Sequence, residues 1–496
     1  MGKIDEQFNC YYLEEDRLLV IVNSCYDYLT LSFHHRGMHC EEHFNSLIWR
    51  VIDYTAKERI AMTKFKAPKG MSDLLPEEMA IQEWMIAKIR TVFRRYGIKE
   101  LEPTFVEEFE TLAAKSGSDV KDEIYYFEDK AGRELGLRFD LTCGLSRIVA
   151  SNRQWQLPLR LGTISCAWRY DQPAYGRRRW FYQWDVEIIG TDDPISDAES
   201  IALGIDVFRA FGYSNFVVKI GNRVIAQELL HSLGIADQKQ LEGALRSIDK
   251  IPKLSTEEIY QEFGKYNIDP DLVDKIRATL VTGDVKVLDS LEQQFSDNSG
   301  ILAGIMELKK CWKYLEDLGK ANFCEIDLTI VRGIGYYTSI VFEAFDKSPG
   351  DPGSLFGGGR YDSLIGIYGD KDIPGTGLAG GFLRLKMILE ANNLIPEEAR
   401  ASYIPDVFII PVKQELLDKC LEITSTLREA GIGTTVDILG RKLAKNLRIA
   451  SQEGIKFVVI VGPKELEENK VTFRDMKAEK EKKVTIEDLI KELSNI

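Results

Sequence analysis

No two of the eight cysteines stand in a CxxC pair, so they frame neither a zinc ribbon nor a disulfide scaffold. Scattered, reduced thiols of a cytosolic protein are the expectation. Histidine is scarce and lopsided: His34, His35, His39 and His43 crowd the N-terminal part, and only His231 lies beyond. Long apolar runs are missing too. The best candidate, around Leu18–Val22, falls far short of the roughly 20 residues that cross a bilayer, so no membrane partner is expected. No Gly-rich P-loop ending in Lys-Ser/Thr occurs and no GxGxxG follows a strand, so the common nucleotide cradles are absent. Excess positive charge is lacking as well. A net charge of −14 excludes a protein that coats nucleic acid non-specifically, but a local basic patch can still sit on an acidic body.

What is present points to several domains. A chain of 496 residues is too long for one hydrophobic core, and 44% hydrophobic with 29% charged residues is ordinary globular composition. Residues 1–61 read as an extension of unknown role, either a lineage-specific addition or sequence upstream of a start at Met62. They carry Asp and Glu throughout and lack an Arg-rich face, unlike a transit peptide. His39, Cys40 and His43 could share a helical face and bind a metal, but zinc sites take four ligands with a second pair; no metal site is expected. From Met62 the character changes. Pro76-Glu77-Glu78 opens a helix whose apolar stripe runs through Ile81, Met85, Ile89 and Val92 to a stop at Tyr96-Gly97. Strand-like stretches then follow at Lys99–Pro103, Ile124–Phe127, Leu135–Leu141, Leu159–Tyr170 and Phe181–Ile189, and return at Cys324–Val331, Tyr336–Ala344 and Gly377–Gly381. The fold class is α+β: a mostly antiparallel sheet backed by helices. Its first part spans 62–221, a helical insertion 222–320 and its second part 321–402. An alternating strand–helix pattern predicts a separate C-terminal α/β domain over 403–496.

Three clusters carry chemistry. Trp168-Arg169-Tyr170-Asp171-Gln172-Pro173 followed by Gly176-Arg177-Arg178-Arg179-Trp180 reads as strand, basic loop, returning strand, and arginine forks suit a phosphate chain. By itself it is equally a solvated hairpin. Arg332-Gly333-Ile334-Gly335-Tyr336-Tyr337-Thr338 lets backbone approach a ligand beside aromatic walls, or is a β-bulge with core tyrosines. Gly357-Gly358-Gly359-Arg360-Tyr361-Asp362 and Gly375–Leu385, with Arg384 near a strand-to-helix transition, fit a mobile loop over a ligand or a plain turn.

In this order, the clusters resemble a class II aminoacyl-tRNA synthetase core. Over residues 64–496 the chain resembles the histidyl-tRNA synthetase family, from Lys69-Gly70 and Asp73–Pro76 through Leu137-Arg138-Phe139-Asp140-Leu141-Thr142 to Arg332–Thr338 and the glycine loop Gly357–Asp362. That resemblance implies a class II antiparallel sheet flanked by helices, with a C-terminal α/β anticodon-binding domain. It also implies ATP as substrate with Mg²⁺, L-histidine and tRNA(His) as partners, a cytoplasmic location, and a homodimer built through the motif that holds Pro103. Arg169 would meet the ATP α-phosphate and the histidine carboxylate, Arg384 the γ-phosphate, and Asp171 and Arg177 the nucleotide. Asp140, Thr142, Gln183 and Glu187 would surround histidine's amino group and ring, Tyr336 and Tyr337 would line the ring pocket, and Arg332 would stabilise the reacting phosphoryl group. Arg441, Lys442 and Lys445 would touch tRNA. Departures exist: Asp171 stands where Glu is usual, Leu383 replaces an acid, and Gly335 and Ser339 are unexpected. The rival expectation is a non-catalytic relative that regulates histidine biosynthesis, but such proteins lose catalytic arginines and the C-terminal domain, and this chain keeps both.

Overall fold

The chain divides into two units, Met1–Pro68 and Lys69–Ile496. A computed structural model describes residues 65–116, 118–172, 176, 178–332, 336–348, 353–401 and 403–494, and the backbone of three strands before them. Those strands, β1 (Phe8–Leu13), β2 (Arg17–Ser24) and β3 (Asp27–His34), form an antiparallel sheet in sequence order. His39, Cys40 and His43 lie outside the described residues.

In the second unit, helix α1 (Pro76–Arg95) begins as its sequence predicts. Proline occupies the first turn, Glu77 and Glu78 face the positive end of the dipole, and Arg94 and Arg95 the negative end. It ends before Gly97, whose φ of 67° suits glycine. Ile81, Met85, Ile89 and Val92 are buried along one stripe.

The large sheet contains β4 (Lys99–Glu100), β8 (Leu159–Trp168), β9 (Trp180–Ile189), β10 (Phe216–Asn222), β11 (Thr282–Gly283), β12 (Cys324–Asp327), β13 (Ile340–Asp346), β14 (Ser354–Tyr361) and β15 (Gly375–Gly381). A small sheet holds β5 (Val106–Glu108), β6 (Tyr126–Glu128) and β7 (Glu134–Leu137). The large sheet runs in the order β11-β12-β10-β13-β14-β15-β9-β8-β4. Only β10 with β12 and β4 with β8 pair in parallel; the rest is antiparallel, as expected. Helices α2 (Thr142–Ser151) and α3 (Ile195–Ala210) follow β7 and β9. On β9, Trp184, Val186 and Ile188 enter the main core together with Ala198, Ile201, Ile205 and Phe208 of α3. By the period of two, Gln183, Asp185 and Glu187 face the other side.

Two strands escape the sequence reading. β10 sits mid-sheet between β12 and β13, and β14 carries the glycines read above as a loop. Gly357–Tyr361 is sheet interior, not a turn. Conversely, the strand expected over Leu135–Leu141 ends at Leu137.

Between β10 and β12 the chain is helical apart from the short β11, from α4 (Arg223–Ser232) to α5 (Ser299–Asp317). Ile225, Leu229, Ile305 and Leu308 belong to the same apolar cluster as Val218 and Ile220 of β10, so these helices share the core behind the sheet. Beyond Arg400, Val407–Pro411 pairs in parallel with Thr434–Val436 and Phe457–Val461, and two antiparallel strands, Val471–Asp475 and Lys480–Val484, complete a separate five-stranded sheet. Apolar side chains cover both its faces. Among the described residues, no helix is long and apolar enough to cross a membrane.

Candidate active site

Opposite residues of paired strands share a face of the sheet. Across β13, β14, β15, β9 and β8 one such row reads Glu343, Gly357, Ala379, Asp185, Thr163. The neighbouring rows contain Gly359, Gly377 and Glu187, then Gly381, Gln183 and Ser165. Small residues on every flank leave a trough floored by the polar row of β9. A Cβ at Gly377 would collide with the Glu187 carboxylate, and one at Gly357 with the Arg332 guanidinium. The glycines are there to let side chains and ligands lie flat on the sheet.

At one end opens a cavity of about 280 Å³ lined by Arg169, Asp171, Arg178, Gln183, Arg332, Glu343 and Arg384, with Phe181 and Tyr182 as apolar wall. Arg169 leaves the end of β8, its Nε donating to the Phe139 carbonyl at 3.0 Å and its guanidinium lying 5.2 Å from the Phe181 ring centre. Arg332 donates to the Phe342 carbonyl at 3.4 Å and stands 3.8 Å from a Glu343 oxygen. Arg384, on helix α6 (Phe382–Ala391), donates to the Ser354 carbonyl at 2.5 Å. Four guanidiniums against two carboxylates make this mouth cationic, which suits a polyphosphate.

Deeper along the trough, Glu187 is 1% exposed and accepts the Tyr361 hydroxyl proton. Burial, and then Glu187, push the Tyr361 phenol far above its ordinary value, so it stays a donor. The Tyr336 ring lies 4.5 Å from Tyr337 at a tilt of 40° and meets Tyr361 edge-on at 6.2 Å. These four residues form one aromatic–carboxylate group.

Asp140 and Thr142 stand apart from the cavity lining, at the start of α2, where Asp140 Oδ1 accepts the Cys143 amide at 3.1 Å. The Phe139 carbonyl under Arg169 ties them to the first cluster. Arg177 lies outside the described residues. In the C-terminal unit, Arg441 is bound to buried Asp437 through its amide and its guanidinium, at 2.7 and 3.2 Å, and helix α7 (Leu443–Gln452) starts after Lys442. The exposed cations are Lys442, Lys445 and Arg448.

Sequence reasoning gave no role to Arg178, whose signal was only its place among the arginines after Gly176, or to Glu343, which falls within the strand expected over Tyr336–Ala344. It also missed Arg138. That guanidinium, 2% exposed, donates to Glu102 and the Pro103 carbonyl at 2.7 Å and to the Cys166 carbonyl at 2.8 Å. It holds the Pro103 segment against β8.

The chain is similar to known proteins along most of its length. The family model for histidyl-tRNA synthetase matches residues 70–385, and the anticodon binding domain matches 406–496. A histidine–tRNA ligase of Thermococcus kodakarensis is 38% identical over 441 residues, covering 88% of this chain and 99% of the relative. That of Pyrococcus furiosus is 36% identical over 429 residues, covering 86% and 98%. The crystal structure of histidyl-tRNA synthetase from Nostoc sp. PCC 7120 aligns with a TM-score of 0.72 at 27% identity, over 87% of this chain and 99% of that one. The chain therefore belongs to the histidyl-tRNA synthetase family, class II ligases that use ATP to join histidine to tRNA.

Proposed function

We propose that histidine lies in the trough with its ring toward Glu187, Tyr336 and Tyr337, and that ATP enters by the arginine-lined mouth. The observation that carries this reading is the continuity of one small-residue sheet face between a buried carboxylate–tyrosine group and four guanidiniums. The histidine carboxylate attacks the α-phosphorus and pyrophosphate leaves. The nucleophile is already an anion, so no strong base is required. Catalysis rests on in-line positioning and on fixed positive charge at the phosphoryl oxygens.

Arg169 is assigned to the α-phosphate and the histidine carboxylate, Arg332 to the reacting phosphoryl group, and Arg384 to the γ-phosphate, with Asp171 and Arg177 holding the nucleotide. Asp140, Thr142 and Gln183 are assigned to the amino group and its surroundings. The second step passes the histidyl group to the terminal ribose of tRNA(His). Among the described residues no cluster of three or more His, Cys, Asp or Glu forms a ready metal site. The cavity offers two hard oxygen ligands, Asp171 and Glu343, and this fits Mg²⁺ that travels with nucleotide phosphates and keeps several waters. These two side chains would hold it, and it would neutralise phosphate charge.

A cytoplasmic homodimer completes the reading, with the Pro103 segment at the subunit contact. The domain division is proposed as 62–221 with 321–402 for catalysis, 222–320 for the helical insertion and 403–496 for the anticodon, after an extension at 1–61.

Glu187→Ala tests the histidine assignment. The KM for histidine rises at least tenfold more than the KM for ATP in ATP–pyrophosphate exchange, because a ring donor loses its buried partner. Equal losses for both substrates defeat the assignment. For the C-terminal unit, Lys445→Ala raises the KM for tRNA and lowers the slope of log KM against log salt by about 1. An unchanged salt slope removes Lys445 from the tRNA contact.

A further inference from the structure

Arg332 has φ 49°, a left-handed backbone that side chains rarely adopt. Most of the other non-glycine residues with positive φ among those described are asparagines, which tolerate the conformation. An arginine does not, so the surroundings must impose it.

The restraint comes from one residue with no role so far. Arg223 directly follows β10, between the strands that lead into and out of the Arg332 segment. It is 7% exposed, and its Nη1 donates to the Val331 carbonyl at 3.4 Å and to the Arg332 carbonyl at 3.2 Å. Its amide donates to the Ser339 carbonyl at 2.9 Å. One residue thus grips both sides of the segment that carries Arg332, Tyr336 and Tyr337. Burial holds this guanidinium below the usual arginine value, with only Glu242 acting against it. A cation this buried is costly unless its bonds are used. The Arg332 carbonyl and the Ser339 carbonyl on the far side of the segment are therefore both held by Arg223.

We propose that Arg223 is a positioning residue for adenylate formation, fixing the left-handed backbone of Arg332 and so aiming its guanidinium into the cavity. The helical insertion, whose first helix begins at Arg223, is then part of the catalytic apparatus. The proposal deepens the assignment of Arg332 made above and rests on it. No covalent step involves Arg223.

The test is histidine-dependent ATP–pyrophosphate exchange with the full chain, expressed per active site from the adenylate burst so that misfolded molecules do not count. Arg223→Gln is expected to lower kcat by roughly 10- to 100-fold, the usual consequence of a small misplacement, with KM for ATP and histidine within about threefold. Arg223→Lys, which keeps one donor, recovers part of the rate. If Arg223→Gln does not fold, Arg223→Lys decides the matter, with kcat expected below the parent at unchanged KM; a parent kcat in it overturns the proposal. In an Arg332→Ala background, Arg223→Gln costs less than about twofold more, because it acts through the missing side chain. Fully additive losses overturn the proposal. So does a parent rate in Arg223→Gln beside a large loss in Arg332→Ala. A parent rate in Arg332→Ala overturns the assignment of Arg332 and the proposal with it.

Discussion

Arg332→Ala lowers kcat for histidine-dependent ATP–pyrophosphate exchange by about 10²- to 10³-fold, the range seen when one preorganised donor to a developing charge is removed. The size follows from where the side chain sits. Its guanidinium lies over Gly357, beside the Phe342 carbonyl and Glu343, and only 21% of the side chain is exposed. A charge held there needs no reorganisation as negative charge builds on the phosphoryl oxygens, and little water screens it. Three further guanidiniums line the cavity, and the proposed reading leaves substrate binding to them. The loss is therefore expected in kcat more than in KM. Arg332→Lys recovers only a fraction, because a point charge replaces a fork that binds two oxygens. A kcat within threefold of the parent for Arg332→Ala would remove this residue from the chemistry.

The second large effect is on stability. Asp197→Ala lowers the free energy of urea unfolding by about 3–5 kcal/mol, the cost of leaving one partner of a buried ion pair alone. Behind β14 the Arg360 guanidinium, 3% exposed, pairs with Asp197 and also donates to the Thr191 carbonyl at 3.1 Å, the Asp193 carbonyl at 3.0 Å and Ser196 Oγ at 2.9 Å. Thr376 Oγ1 donates to Asp197 at 2.7 Å. The pair ties the strand bearing the trough glycines to α3. Burial pushes the Asp197 carboxyl up to about 6, against the pull of Arg360 and Thr376. A folded value above the ordinary 3.8 means the folded chain keeps this proton to higher pH than the unfolded one. The stability it contributes is thus fullest below about 3.8 and is lost as pH rises through about 6. Asp197→Asn cannot titrate, so its deficit against the parent is expected to shrink between pH 4 and pH 7. A deficit that grows over that range, or an Asp197→Ala chain as stable as the parent, contradicts the account.

Much of this was legible in the linear sequence. Helix α1 announces itself by Pro76, Glu77 and Glu78 at one end and Gly97 at the other, because capping and dipole effects are local. The hairpin of β8 and β9 is equally local: alternation puts Trp184, Val186 and Ile188 inward and leaves Gln183, Asp185 and Glu187 for the site. Where local cues conflict with packing, the sequence misleads. Gly357-Gly358-Gly359 has turn composition, yet it forms a strand because only glycine leaves room for Arg332 and the neighbouring strands. β10 was passed over because an apolar run leading into a helix carries no period that separates the two.

Residue chemistry and chain order, then, determined by themselves the sheet-and-helix class, the family likeness and most of the arginines at the mouth. Only the tertiary structure decided which groups meet. Register across five strands turns scattered glycines into one trough, and strand order brings Arg223 beneath Val331 and Arg332, more than a hundred residues along the chain. The physical reason is that hydrogen bonds to backbone carbonyls and close approaches over glycine depend on pairing between distant segments, and no local pattern encodes that pairing. So a strained arginine could be named from the sequence, but what holds it could not.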